Sequence, residues 1–60
     1  MADYVLYCLD GQKLVRCERF AAADDDAAIR ESRRRQGSQA AELWCGPRRV
    51  RMFAREPVPH

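Results

Sequence analysis

Two glycine turns divide this chain and leave few ways to fold it. Asp10-Gly11 follows "DYVLYCL" at residues 3–9, and Gly46-Pro47 follows the "AAELWC" run that starts at Ala40. Each turn is followed by a second run of strand-forming residues, "QKLVRCERF" and "RRVRMFARE". Asp-Gly between such runs is the strongest short-range hairpin signal. The chain therefore reads as two hairpins separated by one other element.

That element is "AAADDDAAIRESRRRQG", residues 21–37. It is the only stretch with helical character. Asp24 stands at the N-cap position, the acidic residues after it suit the positive end of the helix dipole, and Gly37 suits the C′ position after a run of arginines. Ala28, Ile29, Ser32 and Gln36 share one face, a thin stripe with one large apolar residue. Asp24, Asp25 and Asp26 are explained by capping without a magnesium ion. The order is β-β-α-β-β, an α+β domain in which a four-stranded, mainly antiparallel sheet carries one helix on one face. Residues 1–56 form the domain, and 57–60, with two prolines, form a frayed tail.

Two-residue turns at the glycines set an expected register. Leu6 then faces Val15 and Tyr4 faces Cys17. In the second hairpin Leu43 faces Val50, Ala41 faces Met52, Glu42 faces Arg51 and Trp44 faces Arg49. This register predicts an inner face of Tyr4, Leu6, Cys8, Val15, Cys17, Leu43, Val50 and Met52, with Ile29 from the helix and Phe20 closing one end. The opposite face displays Val5, Tyr7, Leu9, Leu14, Trp44 and Phe53 among Arg16, Arg49 and Arg51, with Glu18 and Glu42 as counter-charges. No repeat and no internal linker is evident.

Sixty residues bury only about 60% of the surface their unfolded chain exposes, and chains of this size often rely on a metal, disulfides or a second subunit. The exposed aromatic and arginine face is therefore the leading functional feature, because Tyr, Trp, Phe and Arg are enriched at interface hot spots. The candidate interaction residues are Tyr7, Arg16, Trp44, Arg49, Arg51 and Phe53. The expected function is a small non-enzymatic protein-interaction module, a homodimer through its sheet, acting as an accessory or regulatory partner of a larger protein. The alternative is a weak nucleic-acid binder that stacks bases on the aromatic and arginine face. Against it stand a net charge of only +2 and the absence of an RNP-like segment. A second candidate, the basic helix end of Arg30, Arg33, Arg34 and Arg35, suits phosphates, an acidic partner or simply its own helix dipole.

Enzymatic chemistry finds no residues to carry it. The single histidine, His60, is the last residue on a Pro-rich tail. Cys8, Cys17 and Cys45 lack metal-ligand spacing and are expected on the helix-facing side as small hydrophobes, with Cys45 the most exposed thiol. Gly11, Gly37 and Gly46 are isolated turn residues, not a phosphate loop. No metal and no cofactor is expected. The odd cysteine count and the lack of a signal-like start or of a long apolar run imply a reduced cytoplasmic protein with no membrane partner.

Taken together, the "YxLYxLD-G" hairpin, the "DDDAA" helix start and the "ELWCGPRRV" hairpin resemble short uncharacterised proteins of alphaproteobacteria. The resemblance covers residues 4–52 and is most specific at 42–50. It implies a bacterial cytosolic protein with the β-β-α-β-β order, and it brings no activity or site residue with it. Arg33 to Arg35 stand where that group has a more aliphatic half-helix, which implies weaker helix packing here.

Overall fold

The computed structural model describes residues 1–55; the expected tail at 57–60, His60 included, lies outside them. The element order is β1 (Ala2–Asp10), β2 (Lys13–Ala22), α1 (Asp25–Gln36), β3 (Ala40–Cys45) and β4 (Arg48–Phe53). One sheet has the strand order β2-β1-β3-β4. All three pairings are antiparallel, so the two hairpins join through their first strands. The α+β class and the β-β-α-β-β order are those expected, with the helix on one face of the sheet.

The register departs from the expected one in both hairpins. In the first, the turn residues are Gly11 and Gln12, because Asp10 pairs with Lys13. Only Gly11 of the two has a positive φ, 65°, which is the type II′ arrangement. Moving the turn by one residue shifts every partner by two positions and leaves the faces unchanged. A bulge at Val15 then shifts the partners by one more: Leu9 pairs with Leu14, but Cys8 pairs with Arg16, Leu6 with Glu18 and Tyr4 with Phe20. One extra residue exchanges the two faces of the strand beyond it.

The second hairpin repeats the device. Cys45 pairs with Arg48 and Trp44 with Arg49, as the Gly46-Pro47 turn requires. The ladder then slips at Val50, so that Leu43 pairs with Arg51, Glu42 with Met52 and Ala41 with Phe53. Aligned on their bulges, the hairpins share the run Gly-x-(Lys/Arg)-x-Val-Arg, at 11–16 and at 46–51. This echo is six residues long and becomes visible only once the bulges are known.

The core follows from this register. Tyr4, Leu6 and Cys8 of β1, Ala41 and Leu43 of β3, Phe53 of β4, Ala22 and Ala28 are buried. Leu6 and Leu43 sit opposite each other at the sheet centre, both fully buried. Val50, Ile29 and Phe20 pack against this cluster, half-buried. Three residues expected inside are outside: Val15, Cys17 and Met52 are exposed, because the bulges carry them to the other face or out of the ladder. Phe53 moves the opposite way, from the expected outer face into the core.

The helix lies against the sheet through Ala28, Ser32 and Gln36, one residue per turn. These side chains are small or polar, and their polar atoms are satisfied. The Ser32 hydroxyl donates to the Ala28 carbonyl at 2.7 Å, and the Gln36 amide donates to the Gln39 carbonyl at 2.6 Å. Asp24 is the N-cap, accepting from the Ala27 N–H at 2.8 Å. Gly37 ends the helix with a φ of 64°. The arginine-rich half does not shorten the helix. The Arg35 guanidinium lies 4.9 Å from the Phe20 ring centre and bonds Glu31 and Glu18, so its stem covers the sheet as an aliphatic residue would.

Candidate functional site: the uncovered face of the sheet

The helix occupies one face of the sheet and leaves the other open. Alternation along β1 sends Val5, Tyr7 and Leu9 to the open face, half-buried by their neighbours. Leu14 opposite Leu9 and Met52 opposite Glu42 stand there too, 52% and 59% exposed. Trp44 lies opposite Val5, and its indole N–H donates to the Glu42 carboxylate at 3.0 Å, which fixes the ring along the strand. Tyr7, Leu9, Leu14, Glu42, Trp44 and Gly46 line a shallow open depression of about 510 Å³.

Of the six residues expected on this face, Tyr7, Trp44 and Arg49 are there together. Arg16, Arg51 and Phe53 are not. Arg16 follows the Val15 bulge and turns to the helix side, where its guanidinium bonds the Arg35 carbonyl at 2.6 Å, Glu18 at 2.8 Å and the buried Cys8 thiol at 3.4 Å. Arg51 follows the Val50 bulge and lies 5.9 Å from the centre of the Phe53 ring, on the helix side. Glu18, expected outside, also faces the helix and pairs with Arg35. The open face gains Met52 and Cys17, which faces Tyr7 across the ladder. A valine inside a strand-like run carries no mark of a bulge, so sequence alternation alone does not find these exchanges.

The charges on the open face are few and balanced. Asp3 and Glu42 lie on it from β1 and β3, and Arg19 and Arg49 from β2 and β4. The face is thus an apolar centre with a rim of no net charge.

On the helix side the polar groups form two clusters. The Tyr4 hydroxyl donates to Asp25 at 2.8 Å, and Arg48 reaches the same carboxylate with two nitrogens at 3.0 and 3.2 Å. Arg48 and Tyr4 hold the Asp25 carboxyl below its ordinary range, and the bond to Asp25, with burial second, pushes the Tyr4 hydroxyl up to about 12. Glu31 accepts from both Arg34 and Arg35 and is likewise held low. In the basic helix end, then, Arg34 and Arg35 are paired, whereas Arg30 and Arg33 have no acidic partner among the described residues. Cys45 is half-buried beside Arg48; the exposed thiol is Cys17, contrary to expectation. Among the described residues, no group of three His, Cys, Asp or Glu is placed to hold a metal ion, and no helix is long and apolar enough to cross a membrane.

Comparison with known proteins adds no relative: no family model, no curated protein and no solved structure matches this chain.

Proposed function

We propose that this protein is a small, non-enzymatic interaction module of the bacterial cytoplasm that self-associates through the open face of its sheet. The observation that carries the reading is the apolar centre of that face: Val5, Tyr7, Leu9, Leu14, Trp44 and Met52 on one side of a two-layer domain. Apolar patches of this kind mark interaction surfaces. Two copies stacked face to face, with sheets about 10 Å apart, give each chain the second wall its core lacks.

The charge balance favours a second copy as the occupant. Two acids and two bases on the rim give no net field, so identical faces do not repel and can pair acid with base about a twofold axis. A nucleic-acid strand gains nothing from such a rim, and the face offers two aromatic rings for stacking, Tyr7 and Trp44. The sheet edges are poorer surfaces. Both edge strands carry a bulge, and arginines line them, two devices that blunt strand addition. The area required is modest: about 800 Å² per partner is under a fifth of the 4461 Å² the chain exposes.

The test is the mass in solution across a dilution series, for the natural chain and for Leu14→Glu and Met52→Glu. The expected result is a dimer that each substitution dissociates while the circular dichroism of the fold is kept. A natural chain that stays monomeric at high micromolar concentration, with Trp44 emission fully solvent-quenched, refutes the reading.

A further inference from the structure

A second surface stands out by what its charges do not do. Of the ten arginines, Arg16, Arg34, Arg35 and Arg48 pair with Glu18, Glu31 or Asp25. Arg33, Arg51 and Arg55 have no acidic partner among the described residues, yet all three line one cleft between the end of the helix and β4. The cleft measures about 300 Å³, and among the described residues its lining contains no carboxylate.

The helix dipole favours Arg33, in the last helical turn, but not Arg51 and Arg55, which come from β4 and the residues after it. The cleft is also framed. The Gln36 amide donates to the Gln39 and Ala54 carbonyls, at 2.6 and 3.4 Å, and ties the end of β4 to the helix. The Phe53 ring under Arg51 orients that guanidinium. Three like charges on one concavity repel one another until an anion joins them, and guanidinium forks match phosphate oxygens with two parallel hydrogen bonds each. A water claims about 30 Å³ in the liquid, so the cleft has room for about ten waters, ample space for a phosphoryl group.

We infer that this cleft is an anion site that takes phosphate groups, through Arg33, Arg51 and Arg55. Its three arginines do not belong to the apolar centre of the open face; Met52, at the rim of the cleft, is the one residue the two surfaces share.

The experiment follows the arginine Nε–H resonances of the full chain by NMR, with pyrophosphate as the probe at low salt. The expected result is saturable shifts at Arg33, Arg51 and Arg55. Arg33→Ala and Arg55→Ala, both exposed positions, then each weaken binding about tenfold, the loss of one charge-assisted contact. Arg30→Ala, on the same helix but outside the cleft, leaves it unchanged. A single-stranded oligonucleotide as second probe separates two sources of phosphate. Tighter binding with shifts spreading to Arg30 and Arg34 identifies a strand backbone; no gain over pyrophosphate identifies a small phosphorylated ligand. Shifts spread evenly over all ten arginines, no saturation, or an equal loss in Arg30→Ala overturns the inference.

Discussion

The Arg16 guanidinium donates to the Arg35 carbonyl at 2.6 Å, so a side chain from the edge strand caps the C-terminal turn of α1. The Val15 bulge makes this possible, because without it Arg16 would point to the open face. The same guanidinium holds Glu18, which in turn holds Arg35. Edge strand and helix end are thereby one unit.

Replacing Arg16 removes the cap, the Glu18 pair and the contact to Cys8 together. Arg16→Ala is expected to lower Tm by on the order of 5 °C. Arg19→Ala, on the open face without a partner among the described residues, is expected to leave Tm within about 1 °C. Thermal melts of the two variants, side by side, check this.

The register makes a sharper demand at two neighbouring residues. Phe53 is 8% exposed and Met52 59%. In the monomer, at low protein concentration, Phe53→Ala is expected to cost about 3–5 kcal/mol and Met52→Ala less than about 0.5 kcal/mol. Urea denaturation gives both values. The reverse order would mean that β4 lacks its bulge.

The Tyr4, Asp25 and Arg48 cluster sets how stability responds to pH. Asp25 and Glu31 have folded pKa values depressed below their ordinary 3.8 and 4.5, so their contribution is present above those values and lost as pH falls further. Tyr4 is raised from 10.0 to about 12, so its contribution is full below pH 10 and is lost between pH 10 and about 12. Stability should therefore decline at both ends. Tyr4→Phe should remove the alkaline decline that begins near pH 10, and Asp25→Asn should flatten the acid one. Chemical denaturation repeated across pH measures both limbs.

The three thiols should react in a fixed order. Cys17 is exposed, Cys45 half-buried and Cys8 fully buried under Arg16. Labelling with a thiol reagent, followed by mass spectrometry, should modify Cys17 first and Cys8 only on unfolding. Cys17 lies on the open face, so self-association should slow its labelling as concentration rises.

The amino-acid sequence by itself determined the elements and, to within one or two residues, their ends. The glycines at 11, 37 and 46 mark places where the chain takes positive φ, Asp24 supplies a local acceptor for the first helical N–H groups, and apolar alternation puts Tyr4, Leu6 and Cys8 on one face of β1. These are local effects, readable within a few residues. Only the tertiary structure decided which faces β2 and β4 present. Val15 and Val50 are ordinary strand residues, and the choice to leave each unpaired rests on what the rest of the strand then meets. The slip brings Phe20 onto Tyr4, Phe53 into the core and Arg16 onto the helix end. That gain is spread over residues distant in sequence, and it also decided that the hairpins join through β1 and β3, where Leu6 and Leu43 close the centre of the sheet.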